Sequence, residues 1–307
     1  LLLRVGHLST FYHTAPILAS DKNISDKLGA ETSWQMYGTG PAIVEALKQD
    51  KLDLAYIGLP PALVGIDKGV QIKCIAGGHI EGTIITGINE LKSYPELGTL
   101  NEVVEQFRDN HIGVPGKGSI HDVILTHCLE EAGLSDDVWV TNFRWADEII
   151  EEMARGNISA AFGTPALAVA TNRYSGGKLI YPPELLWPWN PSYGIVAGKA
   201  VMDQHPELIE KFLGIHEQAS ELLRNNPEEA AGIIANFVGV VDSDYVLETI
   251  NISPKYCAQL TNEYINSTLD FGRAMKKLGY LTKELAIDDI FDPAFISKVH
   301  PPGNHYT

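Results

Sequence analysis

The chain has 307 residues, with 23 Lys and Arg against 39 Asp and Glu, for a formal net charge of −16. At roughly 150 residues per domain the length provides for two domains with cores of their own, and no apolar run approaches the ~20 residues that a bilayer crossing requires. An acidic balance of this size, with no local block of Lys or Arg, speaks against nucleic acid as a partner and leaves a soluble globular protein as the expectation.

Leu3 to His7 reads as a first strand. The Leu1-Leu2-Leu3 stretch before it is too short for a signal h-region, which leaves two expectations open: a cytoplasmic protein, or one whose leader has been removed. Thr32 to Tyr37, Leu54 to Ile57 and Ile72 to Ala76 follow as strands. They alternate with helices starting near Pro16, Pro41 and Pro61, where the fixed φ of proline suits a first turn. The pattern returns in Ile112 to Val114, Trp139 to Phe143, Ala160 to Phe162 and Leu179 to Tyr181. Strands alternating with helices predict an α/β fold with mainly parallel sheets. From about Pro206 the chain turns helical, with apolar residues at Leu208, Ile209, Phe212, Leu213 and Ile215 and a second start at Asn226-Pro227-Glu228-Glu229. The tail, Pro301-Pro302-Gly303-Asn304, reads as a loose end.

Two stretches of the chain resemble each other. Residues 43 to 63 (IVEALKQDKLDLAYIGLPPAL) and 149 to 167 (IIEEMARGNISAAFGTPAL) each give a helix, a stop, a short apolar strand and a Gly/Pro opening. Ala55 answers Ala161, Tyr56 answers Phe162, and Pro61-Ala62-Leu63 answers Pro165-Ala166-Leu167. The offset makes the units half-molecules rather than solenoid repeats.

Several motifs fail on inspection. Gly38-Thr39-Gly40 opens a helix, but Ile43 stands where a dinucleotide fingerprint needs its third glycine. In Gly113-Val114-Pro115-Gly116-Lys117-Gly118-Ser119 the lysine precedes the last glycine, unlike a phosphate loop. There is no GxSxG elbow and no HExxH. Cys74, Cys128 and Cys257 lie far apart with no CxxC pair, and read as small buried hydrophobes rather than metal or disulfide partners. His121 and His127 share a helix on different faces. No metal and no cofactor is expected.

What survives is a set of loops at the carboxyl ends of predicted strands: His7 to His13, Tyr37 to Pro41, Gly58 to Pro61, Gly116 to Asp122, Asn142 to Trp145, and Gly163-Thr164-Pro165. In open α/β sheets ligands sit at these ends, where helix N-termini offer N–H groups and a partial positive charge. Ser9, Thr10, Thr39, Ser119 and Thr164 add hydroxyls, and Gly38, Gly40, Leu59, Pro60, Lys117, Ile120 and His121 come from the same loops. Phe11, Tyr12, His13, His79, Trp145, Trp187 and Trp189 supply rings for an enclosed ligand with an apolar part. Arg144 is a candidate for bidentate contact with a carboxylate or sulfonate.

Taken together, Gly38-Thr39-Gly40 before Ala46-Leu47, Leu52-Asp53-Leu54-Ala55-Tyr56-Ile57-Gly58, Ile75-Ala76-Gly77-Gly78, Ile112-Gly113-Val114-Pro115 with Gly118-Ser119, and His205-Pro206-Glu207-Leu208 carry a family resemblance over nearly the whole chain. The sequence resembles the substrate-binding proteins of ABC importers for sulfonates, nitrate, taurine and related compounds, which share a fold with thiamine-pyrimidine binding proteins. The resemblance implies a two-lobed type II periplasmic-binding-protein fold with two hinge crossings and a helical C-terminal segment packed on lobe one. The crossings are expected near Thr86 to Leu91 and Ser192 to Val196, giving residues 1–88 and 194–307 to lobe one and 89–193 to lobe two. It further implies a monomer that captures a small organic anion in the cleft and docks on an ABC permease. The expected location is the periplasm or the outer face of the membrane, with the leader absent from this chain and a lipid anchor allowed.

Many relatives carry Trp-Glu-Pro or a similar acidic tripeptide where this chain has Gly163-Thr164-Pro165, which argues against an amino-sulfonate such as taurine. Two other readings stand beside capture of an anion: binding of a pyrimidine-like heterocycle, and an enzyme on the same fold with His13, His79 and Glu81 as an acid/base set. Pyrimidine synthases of the yeast type resemble this architecture but carry a cysteine-rich segment that is not found here.

Overall fold

In the computed structural model, which describes residues 1–301, 303, 305 and 306, the alternating apolar runs build two five-stranded sheets. The chain opens with β1 (Leu2–Leu8), α1 (Thr14–Ser20), α2 (Ile24–Leu28), β2 (Glu31–Tyr37), α3 (Gly40–Lys48), β3 (Leu54–Ile57), α4 (Leu59–Asp67) and β4 (Ile72–Ile80). It then passes to the second sheet as β5 (Ile84–Ile88), α5 (Leu100–Glu105), β6 (His111–Pro115), α6 (Ile120–Glu131), β7 (Trp139–Phe143), α7 (Ala146–Ala154), β8 (Ala160–Gly163), α8 (Pro165–Tyr174), β9 (Gly177–Tyr181) and α9 (Pro183–Leu186). It returns as β10 (Pro191–Gly198) and ends in α10 (Lys199–Gln204), α11 (Pro206–Asn225), α12 (Pro227–Val238), α13 (Ser243–Ile252), α14 (Asn262–Lys277), α15 (Ile287–Ile290) and α16 (Ile296–Val299).

The strand orders are β2-β1-β3-β10-β4 and β7-β6-β8-β5-β9. In each sheet three consecutive neighbours run parallel, and the fourth strand is antiparallel to both of its neighbours. That fourth strand is the one the chain lays down on arriving from the other sheet. The internal repeat follows from this topology: α3-β3-α4 and α7-β8-α8 occupy equivalent places, with β3 and β8 buried along their whole length.

The changes of sheet fall at residues 81–83 and 182–190, earlier in both cases than the sequence reading placed them. Thr86 to Ile88 lie within β5, and Ser192 to Val196 lie within β10. The physical reason is in the residues: Ile84-Ile85 and Tyr193 to Ala197 are apolar runs buried in the middle of a sheet, not exposed connectors. The two crossings are stitched to each other. Glu81 N–H donates to Asn190 O at 3.0 Å, Trp189 N–H donates to Glu81 Oε1 at 2.9 Å, and Lys255 pairs with Glu81 Oε2 at 2.8 Å.

The C-terminal helices do not rest on the first sheet's side alone. Tyr245 of α13 donates its hydroxyl to Ala166 O of α8 at 2.8 Å, and Arg173 of α8 pairs with Asp242 and Glu248. Beyond α14, Tyr280 donates to Asp122 Oδ2 of α6 at 2.8 Å. The tail is also held: Tyr306 is buried and donates to Cys257 O at 2.6 Å. Pro302 and Asn304, which the sequence reading put in a loose end, lie outside the described residues.

Candidate ligand site between the two sheets

The parallel strands β1, β2 and β3 of one sheet and β6, β7 and β8 of the other end facing each other, so six strand-to-helix turns meet across a cleft. Three of the helices that follow, α3, α4 and α8, start at Thr39, Gly58 and Thr164 without a side-chain cap. The first four N–H groups of a helix have no intrahelical acceptor, so these turns aim partial positive charge at the cleft. Proline trims the donor count. Pro60 and Pro61 in α4 and Pro165 in α8 carry no N–H, whereas α6 has no proline in its first turn. There Ser119 caps Asp122 N–H at 3.2 Å and its carbonyl takes Val123 N–H, which leaves the N–H groups of Ile120 and His121 outside the helical ladder.

The turns of the two sheets touch. A Cβ built on Gly38 would stand 2.9 Å from the Trp145 ring, and one on Gly116 would stand 2.7 Å from the Thr39 methyl. Glycine at both places is what lets the two sides approach. Between them lies a cavity of about 80 Å³. At roughly 10–15 Å³ for one water-sized occupant, that is room for the compact polar head of a ligand and not for a large one.

Leu8, Ser9, Thr10, Tyr12, His13, Gly38, Thr39, Gly40, Gly58, Pro61 and Ser192 wall the cavity from the first sheet, and Pro115, Ser119, Ile120, His121 and Thr164 from the second, with Gly82 from the crossing. None of these residues is an Asp, Glu, Lys or Arg. His13 and His121 are held neutral: burial, reinforced by the neighbouring imidazoles His79, His7, His121 and His216, keeps His13 well below its ordinary value, and burial alone takes His121 down to about 3. Each imidazole is oriented by a threonine, His13 Nδ1 lying 2.8 Å from Thr10 Oγ1 and His121 Nδ1 lying 3.0 Å from Thr83 Oγ1. His13 Nε2 is buried with no partner among the described residues, so this wall residue keeps one polar atom for something else.

Of the residues singled out in the sequence, Ser9, Thr10, Tyr12, His13, Gly38, Thr39, Gly40, Ser119, Ile120, His121 and Thr164 come together on this cavity. The others go elsewhere. Phe11 packs towards α12 and α13, and Leu59 and Pro60 are buried at the start of α4. His79 sits in the core, its Nε2 2.5 Å from Ser253 O and its ring stacked on Tyr256, with burial taking it down to about 4. Glu81 is engaged by Lys255 and by Trp189 N–H, while the His13 and His79 ring centroids lie 5.8 Å apart, so two of the three residues of the expected acid/base set are neighbours. Lys117 and Arg144 are exposed. The Arg144 guanidinium lies 6.0 Å from the Trp145 ring centroid, and Trp145 itself lids Gly38. Trp187 stacks on Phe271 at 3.9 Å and Trp189 meets Tyr306 edge-on at 5.9 Å. Sequence reasoning missed Gly82, Pro115 and Ser192 as cavity residues. The signal for Ser192 was its place at the head of the apolar run that becomes β10.

Comparisons with known proteins find similarity over most of the chain. The profile described as the NMT1-like family matches residues 2–238. A Bacillus subtilis protein named for binding aliphatic sulfonates is 22% identical over 281 residues, covering 89% of this chain and 80% of its own. The alkanesulfonate-binding protein SsuA of Xanthomonas axonopodis, solved bound to MOPS, is similar with a TM-score of 0.77 at 17% identity over 94% of this chain and 98% of that one. The periplasmic nitrate-binding protein NrtA of Synechocystis is similar with a TM-score of 0.76 at 13% identity, over 97% and 88%.

Proposed function

The chain belongs to the NMT1-like family, and from that membership we propose that it is the extracytoplasmic solute-binding component of an ABC importer, capturing a small organic anion between its two sheets. The observation that carries the reading is the cavity itself: uncapped helix starts, glycines and hydroxyls from both sheets converge on one space that no carboxylate of the described residues lines. An anion there is met by N–H and O–H donors and helix dipoles, which need no formal counter-charge. A sulfonate fits best, because its oxygens radiate acceptors in several directions, matching donors on opposite walls. Absence of an acid at Thr164 disfavours a ligand carrying its own ammonium group.

In this reading lobe one comprises residues 1–80 and 191–307, lobe two comprises residues 84–181, and the stitched crossings form the hinge. A ligand touching both walls stabilises the closed state over the open one by its differential affinity for the two. Apart from buried, paired carboxylates such as Glu81, Asp122 and Glu217, the acids lie on an outer surface that is available to a permease and lies on the periplasmic side or at the outer face of the membrane.

A heterocycle is the second reading, favoured by the neutral imidazoles of His13 and His121, which pair with uncharged ring nitrogens as readily as with an anion. Thermal unfolding with a panel of alkanesulfonates, carboxylates, nitrate and pyrimidines separates the two, since a ligand that binds only the folded state raises Tm. A shift from sulfonates alone supports the first reading. A shift from pyrimidines alone replaces it with the second, and no shift from any member defeats both.

A further inference from the structure

Far from the cleft in sequence terms, and unconnected with the loops described above, three metal-ligating side chains converge where the tail meets the body. Cys257 follows α13, while His300 and His305 belong to the last residues of the chain. Their ligand atoms all lie within 4.8 Å of one another, with Cys257 Sγ 3.1 Å from His300 Nε2 and the two imidazole centroids 5.0 Å apart. Glu217 of α11 closes a further side: its Oε2 is 3.8 Å from His300 Nε2 and its Oε1 is 3.7 Å from His305 Nδ1. His305 Nδ1 is buried without a hydrogen-bond partner among the described residues. Around a tetrahedral zinc, with Zn–S about 2.3 Å and Zn–N about 2.0–2.1 Å, neighbouring ligand atoms stand about 3.3–3.6 Å apart, so these separations close onto one ion with small side-chain movements.

We propose that Cys257, His300 and His305, with Glu217 supplying a carboxylate on the fourth side, form a zinc site that staples the C-terminal tail to α11 and to the segment after α13. One thiolate, two imidazoles and a carboxylate suit a borderline divalent cation of flexible geometry, and are poor for calcium or magnesium, which take oxygen ligands. The Glu217 carboxylate is held in place by Arg224 at 2.9 Å and by Ala258 N–H at 3.1 Å, so it is positioned before any ion arrives. On binding, the Cys257 S–H bond breaks, a Zn–S bond forms and one proton leaves to solvent, with no change of oxidation state. The mechanical consequence is local. The staple fixes the tail that carries Tyr306, and Tyr306 packs against Trp189 on the second crossing.

The test uses the untagged, chelator-treated protein titrated with zinc alone against a chromophoric competitor. The expected result is one equivalent bound, one proton released and a raised Tm. Cobalt in place of zinc is expected to give a thiolate-to-metal charge-transfer band and the intense visible bands of a tetrahedral ion. Cys257→Ser abolishes the charge-transfer band and weakens zinc binding by at least about 100-fold, while Glu217→Gln costs about 10-fold. Because Cys257 is buried, His305→Gln on the tail is the second variant: it is expected to lose the same affinity with its circular dichroism unchanged. Sub-stoichiometric zinc, or binding that survives both Cys257→Ser and His305→Gln, overturns the proposal and leaves a Cys–His hydrogen bond in its place. Neither result touches the sulfonate titration, so the zinc site and the cleft reading stand or fall separately.

Discussion

The two walls of the cleft are built on the same strand order yet held in different ways. On the first wall His13 is embedded in rings, with Tyr193 at 3.8 Å and Tyr12 at 4.3 Å between centroids, and Thr14 beneath it reaches His216 Nδ1 at 3.0 Å. On the second wall the Ser119 hydroxyl donates to Pro115 O at 2.9 Å and accepts from Asp122 N–H at 3.2 Å, while the Asp122 carboxylate accepts from Gly118 N–H at 2.7 Å, Asn142 Nδ2 at 2.8 Å and the Tyr280 hydroxyl at 2.8 Å. Packing stiffens the first wall and a polar network stiffens the second, with its outermost partner donated by the C-terminal segment. The first wall is thus expected to act as a fixed template and the second as the part whose geometry answers to distant changes.

The largest expected effect comes from acid, which bears on both walls. His79 and His216, both beneath the first wall, are taken down by burial to about 4, and His121 on the second wall is taken down to about 3. The unfolded chain takes up protons at about 6.5, so the stability these neutral rings contribute is complete above that value and is lost as pH falls towards 4. The loss is on the order of 3 kcal/mol for each ring. Urea midpoints measured from pH 7 to pH 4 are expected to fall accordingly, and a flat profile would contradict the buried neutral state.

Truncating the two imidazoles separates the walls directly. His13→Ala removes a ring from a packed aromatic cluster and strips Thr10 of its partner, and is expected to cost about 2–4 kcal/mol of folding stability. His121→Ala, at 8% exposure and with one threonine partner, is expected to cost about 1–2 kcal/mol. Equal losses in chemical denaturation would erase the distinction. Gly116→Val tests closure: its side chain meets the Thr39 methyl across the cleft, an overpacking of about 1–3 kcal/mol that isothermal calorimetry should read as a roughly 10- to 100-fold weaker ligand.

Smaller effects are expected from the C-terminal segment. Tyr280→Phe takes one hydrogen bond from Asp122 and should lower stability by about 1 kcal/mol. Arg173→Ala breaks paired contacts to Asp242 and Glu248 on exposed helix surface and should cost less than about 1 kcal/mol, an effect that fades in high salt.

Much of this architecture could be read from the residues. Apolar strands punctuated by Gly, Pro and hydroxyls mark the turns at Thr39, Ser119 and Thr164 because those residue types are the ones that start helices, and helix starts are what the cleft uses. The antiparallel strands were illegible for the opposite reason. Ile84-Ile85 and Tyr193 to Ala197 carry strand-forming residues, but nothing local says that each belongs to the sheet the chain has just entered. Composition also misled at the rings. Trp187, Trp189 and His79 have the chemistry of a binding pocket, yet aromatic side chains fill cores and seams just as well, and only packing decides between the uses. Cys257 and His300 are separated by forty-three residues in sequence and lie 3.1 Å apart in space, beyond the reach of any spacing rule.

The central claim is that uncharged donors from both walls hold the ligand. Calorimetric titration with a short alkanesulfonate at low and high ionic strength tests it most directly. Saturable one-to-one binding is expected, with an affinity that changes little with salt, because no charged side chain among the described residues lines the cavity. Binding that collapses with added salt, or no binding of any sulfonate, would contradict it.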